Sequence, residues 1–420
     1  MPRAAALPGV CPGGRRFKIR FPDDASFEAA AAHECDEFSS AVASAKRRFR
    51  TLALPPIEDG EPAAERRLDR RVAFLEREYQ AQVEDDPQYD LDFPPGWHCP
   101  PPPGPGPSLD DVLEAIRARD AWRNGNRGGG ATIAIVDTGV DGDRRELPFW
   151  KRRGSWQVQD ARPFCDPVGH GTLCAVIAAG TRAAGGRFEG VAPDAGIIAC
   201  RTRFFDSELT AIYDHLIAMA EAVPSLRLIT TNSFGRRCGL APPPVEGDFP
   251  AALGEAIASG IAAIFSAGNN HDLAGGGPAD CHPSTIWHYK VRQDVLTVGA
   301  CDLEGRLWNY SSRGPGQQWD QAGNGAKPDL VAPTPRDGLI AFGGEDRSFP
   351  EGWGTSGACP QAAGLAALLW TAEPNLTVGE LFARIRSGAR DLGLAWNCQG
   401  AGRLDCLASL AAGAKMEGKG

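Results

Sequence analysis

No apolar run in this 420-residue chain approaches the ~20 residues that a helix needs to cross a bilayer, so no membrane partner is expected. There is no basic excess either. Lys and Arg number 44 against 53 Asp and Glu, a formal net charge of -9, and phosphate binding wants a basic footprint. Nucleic acid is therefore not expected as a partner. No CxxC pair occurs among the 12 cysteines, which removes the usual spacing of a structural zinc site. Several of these cysteines fall inside helical or strand patterns, where a free thiol packs as a small hydrophobe. Mostly reduced thiols are expected, with a disulfide framework as the alternative. No internal repeat is visible, and the N-terminus lacks a secretory pattern. Its short apolar stretch is broken at Pro8 and followed by Arg15-Arg16. A cytoplasmic location is expected; secretion is the alternative if a signal lies upstream of this start.

What is present is ample material for a core. Hydrophobic residues make up 42% and charged residues 23%, as in an ordinary soluble globular protein. The length fits two domains, or one large domain with an appendage. Residues 15–21 alternate polar and apolar, a strand signal; residues 26–50 read as helix, and residues 62–84 as a helix with a solvated, charged face. Together residues 1–84 predict a small α+β N-terminal domain. Residues 85–107 are rich in Asp and Pro, with a run from Pro100 to Pro103, and predict an extended, semi-rigid linker. A larger domain then spans 108–415.

In that larger domain short β-branched runs alternate with Ala-rich helical runs. Strands are predicted at 131–136, 196–200, 226–232, 261–266 and 295–299, nearly all apolar. Such strands are buried on both faces, which implies a doubly wound α/β fold: a mostly parallel sheet flanked by helices. In open sheets of this kind, sites form beyond the carboxyl ends of the strands. Polar residues gather there. The run Ala-Thr-Ile-Ala-Ile-Val leads into Asp137-Thr138-Gly139, so a half-desolvated carboxylate closes a strand. His170 sits between Gly169 and Gly171 ahead of an apolar helix, where glycines permit close backbone approach. Ser356 opens another apolar helix after Gly354-Thr355. It is read either as an N-cap or as a hydroxyl whose alkoxide character the helix dipole favours. Asn269 follows the strand 261–266 and Gly268; it is a turn residue or a donor to developing negative charge.

Asp, His, Asn and Ser in this order resemble the subtilases, the subtilisin-like serine proteases. The matching motifs include Asp137-Thr-Gly-Val-Asp141, His170-Gly-Thr172, Asn232-Ser-Phe-Gly235, Ala267-Gly-Asn269 and Gly354-Thr-Ser356. The resemblance runs from about 108 to 410. It implies Ser356 as nucleophile, His170 as general base and acid, and Asp137 as its orienting carboxylate. Asn269 and the Ser356 N–H would form the oxyanion hole. Ser233, Phe234 and Gly235, with Ser266, Ala267 and Gly268, would bind an extended protein or peptide substrate, whose first specificity pocket has its base somewhere in 275–290. The family often has Met after the Ser and His after the helix Pro; here Gly357 and Gln361 stand there. Calcium stays open. Asp141 and Glu146 are acidic, but no complete ligand set can be drawn, so no metal or other cofactor is expected. The resemblance also leaves two roles for the N-terminal segment: an inhibitory propeptide removed by self-cleavage, or a retained regulatory domain. Residues 86–93 look like the stretch that precedes a catalytic domain.

Rival readings fail on specific counts. An aspartic protease needs two Asp-Thr/Ser-Gly motifs on an all-β fold. An α/β-hydrolase needs a Gly-x-Ser-x-Gly elbow and the order Ser, acid, His. A catalytically silent subtilase fold acting as a binding module remains the alternative. Cys174 and Cys359, four residues after His170 and three after Ser356, share a helix face with them. They are read as buried packing, or as a source of thiol-reagent sensitivity.

Overall fold

The computed structural model describes residues 17–30, 44–46, 51–53, 62–92, 107–157, 161–235, 247–316, 326–334, 339–342, 345–348 and 352–414. Its centre is a seven-stranded sheet built from β6 (Thr132–Asp137), β7 (Arg152–Gln157), β8 (Gly196–Arg201), β9 (Leu228–Asn232), β11 (Ala262–Ser266), β12 (Leu296–Cys301) and β13 (Leu330–Pro333). The order is β13-β12-β11-β9-β6-β8-β7, and every pairing is parallel. The near-continuous apolar runs have the expected cause. In β6, Ile133 and Ile135 enter the core on one face, while Ala134 and Val136 enter a second core on the other. β8 and β11 split the same way, as a two-residue period demands. The helices His170–Ala179, Gly354–Ala372 and Val378–Gly388 cover the first face; Asp206–Ala222 and Phe249–Ala258 cover the second.

The N-terminal residues form a second sheet from β1 (Phe17–Arg20), β2 (Ser44–Lys46), β3 (Thr51–Ala53) and β4 (Gln82–Asp85), antiparallel in the order β2-β3-β1-β4. Ile19, Phe21, Phe27, Leu52 and Leu75 make its core, with the helix Pro62–Tyr79 alongside. Two expectations need correction. Residues 26–50 are not one helix: the described helical part covers 24–30, and 44–46 is a strand. At 44–46, pairing with β3 overrides the helix propensity of the Ala-rich composition. The helix expected to reach 84 stops at Tyr79. Gln80 takes a left-handed φ of 53°, and the chain turns back to pair β4 with β1.

The N-terminal sheet lies against the start of the Asp206 and Phe249 helices. Lys18, 2% exposed, reaches Asp206 Oδ2 at 3.3 Å and Asp248 Oδ2 at 3.0 Å. Arg20 joins Glu84 and Asp248. Residues 86–92, at the start of the stretch read as a linker, are extended and pinned to the larger domain. Asp86 accepts from Ser207 N and Oγ, Asp206 N donates to Pro87 O, and Tyr89 N donates to Phe204 O. The Pro100–Pro103 run lies outside the described residues.

One pair of cysteines departs from the reduced state expected. Cys281 and Cys398, 5.2 Å apart at Cα, form a disulfide. Their partnership joins segments 117 residues apart, a relation no local pattern carries. Cys165, Cys174, Cys200, Cys301, Cys359 and Cys406 are free; Cys11, Cys35, Cys99 and Cys238 lie outside the described residues. Among the described residues no helix is long and apolar enough to cross a membrane.

Candidate active site

Two carboxyl-end positions of the sheet and two helix starts supply the site. Asp137 is the last residue of β6, and Asn269 follows β11 by three residues. His170 opens its helix directly after Gly169, and Ser356 lies in the first turn of the Gly354–Ala372 helix. Asp137 Oδ1 stands 2.8 Å from His170 Nδ1 and also accepts from Thr138 N at 2.7 Å. A carboxylate can only accept, so the ring proton sits on Nδ1, which leaves Nε2 as the basic nitrogen. Both side chains are buried. The approach is tight because residue 171 is glycine: a Cβ there would lie 2.1 Å from Gly139 O and 2.9 Å from Asp137 Cβ.

Asp166, which sequence reasoning missed, braces this arrangement. It accepts from Thr172 N and Oγ1, Gly169 N, Val168 N and Thr138 Oγ1. Thr138 Oγ1 in turn accepts from Gly171 N at 3.0 Å. Asp166 thus satisfies orphan donors at the start of the His170 helix and ties them to the Asp137 strand. Burial holds its carboxyl above the usual range, and the donors from Thr172 and Gly169 pull the other way. An acid a few residues ahead of a helix was the available signal.

Asn269 is held by its neighbour to the nucleophile. Its Oδ1 accepts from Thr355 N at 2.9 Å and Thr355 Oγ1 at 3.0 Å, which aims the amide nitrogen outward. Thr355 Oγ1 also accepts from Gly268 N at 3.1 Å. Cys174 Sγ contacts Ser356 O, Ser233 Oγ and Asp137 Oδ2, so it fills the space between three site elements. Burial raises its thiol well above the ordinary value, and the Cys359 thiol to about 11. Gln361 donates from Nε2 to Pro333 O and Gly357 O, both at 2.8 Å. A side-chain donor therefore serves the helix end where the family pattern has His. Asp137, His170 and Cys174 are the only described trio close enough for a shared metal ion, and they are this site itself. Glu146 is engaged by Arg144 and Arg187 N, and Asp141 by Asp143 N.

The cleft is filled by the chain's own residues. β5 (Asp90–Leu91) pairs antiparallel with β10 (Phe234–Gly235), Leu91 opposite Phe234. Asp92 N donates to Ser233 O at 2.9 Å. The Asp92 carbonyl oxygen accepts from Asn269 Nδ2 at 3.2 Å and is contacted by Ser356 Oγ. The Asp92 side chain enters a recess beside Ser266, Gly235 and Lys290. Three residues upstream, the Tyr89 ring meets Phe249 at 5.6 Å, Tyr289 at 5.9 Å and Phe234 at 6.2 Å. Ser233, Phe234, Gly235 and Ser266 therefore all touch or flank the seated strand. Ala267 and Gly268 continue the same turn into Asn269.

The description of the Subtilase family matches residues 128–402. Mycosin-4 of Mycobacterium tuberculosis is 32% identical over 317 residues, covering 69% of this chain and 66% of that protein. Serine protease AprX of Bacillus subtilis is 29% identical, over 67% of this chain and 66% of its own length. Subtilisin-like protease SBT6.1 of Arabidopsis thaliana is 30% identical, over 71% of this chain but 27% of its own. The match thus spans less than two thirds of these relatives. The crystal structure of MycP1 with its N-terminal propeptide removed superposes with a TM-score of 0.53 at 22% identity, over 71% of this chain and 96% of that one.

Proposed function

The chain belongs to the subtilase family, and from that premise we propose that it is a serine endopeptidase acting through Ser356, His170 and Asp137, with its N-terminal residues as an intramolecular inhibitor. The observation that carries the reading is the pose of Asp92. Its carbonyl oxygen lies between Asn269 Nδ2 and Ser356 Oγ, where a scissile carbonyl would sit. A strand added to β10 brings it there.

The chemistry follows from these positions. Ser356 Oγ attacks the carbonyl carbon while His170 Nε2 takes its proton. Asp137 stabilises the imidazolium. Asn269 and the Ser356 N–H hold the negative oxygen of the tetrahedral intermediate. Collapse breaks the C–N bond, here that between Asp92 and Phe93, and His170 gives its proton to the departing amine. Water, deprotonated by His170, then attacks the acyl ester; the carboxylic acid leaves and Ser356 Oγ regains its proton. Protein or peptide substrates would bind as Tyr89–Asp92 does. While the N-terminal residues stay docked they occupy that groove.

A fluorophosphonate probe tests the reading. It is expected to label the processed protein on Ser356, and Ser356→Ala is expected to abolish labelling. Folded protein that takes no label would favour a silent binding module instead.

A further inference from the structure

We infer that Lys290, with Ser266, makes the first specificity pocket selective for an acidic side chain, so that the substrates are chains cut after aspartate or glutamate. The inference rests on the peptidase reading above and deepens it. Lys290 Nζ lies 2.8 Å from Asp92 Oδ2, and Ser266 Oγ lies 2.6 Å from the same oxygen. Lys290 is 4% exposed and Asp92 6%. Among the described residues Asp92 is the only carboxylate that Lys290 pairs with. The ammonium is therefore held in a buried recess, and its counter-charge comes from the bound strand rather than from the pocket wall.

The pocket is shaped around that ammonium. A Cβ at position 235 would stand 2.7 Å from Lys290 Nζ, so glycine there leaves the room the head group uses. The backbone of Lys290 is fixed by Thr297 Oγ1, which donates to its carbonyl at 2.6 Å. A small cavity, with room for about one water-sized group, lies against Lys290 and is bounded also by Ala267, Asn270 and Trp287. A neutral side chain in this recess would strand a buried charge, and a cationic one would add repulsion. Position 290 closes the segment where the pocket base was expected but had no recognisable motif.

The test uses the wild-type protein as purified, after the cut that frees the groove, and peptides Tyr-Asp-Leu-X-Phe-Pro, with rates expressed per serine labelled by fluorophosphonate. With X as Asp, kcat/KM is expected to exceed that for Asn by about 10²-fold, with Glu intermediate and Lys slowest. Lys290→Met is expected to bring the Asp-to-Asn ratio close to one. Labelled enzyme that cuts the Asn or Leu peptide as fast as the Asp peptide overturns the inference. Failure to label at all would count against the peptidase reading alone. The pocket is then decided without turnover, in the Ser356→Ala chain. There Lys290→Met should raise amide hydrogen exchange at Asp92, whose N–H donates to Ser233 O, at least tenfold, and unchanged exchange overturns the inference.

Discussion

Residue 166 determines how the His170 helix meets the Asp137 strand. Its carboxyl collects donors from the helix start and from Thr138, so its removal leaves several buried N–H groups without partners. Asp166→Ala should lower stability by about 2–4 kcal/mol, read from urea unfolding in a Ser356→Ala background. In the active chain it should lower kcat by roughly 10- to 100-fold with little change in KM, because the imidazole is displaced while the substrate groove is not. A rise in KM at constant kcat would contradict a positioning role. Asp137, His170 and Ser356 were legible as residues because each ends a strand or starts a helix in a recognisable motif. Asp166 was not: its place ahead of a helix suggests a cap, but its link to the Asp137 strand runs through Thr138, 28 residues away. Lys290 was not either, because its role depends on a strand nearly 200 residues earlier.

At the scale of elements, five strands were legible because burial on both faces writes an unbroken apolar run. β7 and β13 were not. β7 (Arg152–Gln157) is an edge strand, partly exposed and carrying Arg152, Arg153, Gly154 and Ser155, so it lacks that run. β13 (Leu330–Pro333) is four residues long and ends in proline, too short a run to stand out. Just before β7, Lys151 is buried and donates to Pro193 O. Desolvation pulls its ammonium from the usual 10.5 down to about 7. Between those values the unfolded chain binds the proton and the folded chain does not, so stability rises with pH across that window. Below about 7 both states are charged and the burial penalty is fully present. Lys151→Met should flatten the rise in Tm between pH 7 and 9.5, measured in the Ser356→Ala chain; parallel Tm profiles would contradict this.

For the whole molecule, two observations combine. The N-terminal sheet is fastened through Lys18 between Asp206 and Asp248, and residues 86–92 run from that anchor into the cleft. Burial raises the Asp206 carboxyl to about 6, and the nearby Lys18 ammonium and the Asp248 and Phe249 N–H groups oppose that rise. The cluster is almost fully desolvated, so the attraction between its charges is offset by the cost of burying them, while removing one partner would leave an uncompensated buried charge. The sequence alone separated an N-terminal unit from the larger domain, but its two roles stayed open because docking is a contact between distant segments. By the function proposed above, the docked unit would be both first substrate and blocker.

By the proposed function, Ser356 cuts the chain after Asp92. Intact mass and N-terminal sequencing of the purified wild type and Ser356→Ala test it most directly. The wild type should yield a large fragment beginning at Phe93, and Ser356→Ala should stay full length. A wild type that remains uncut, or an identical cut in both proteins, would contradict it.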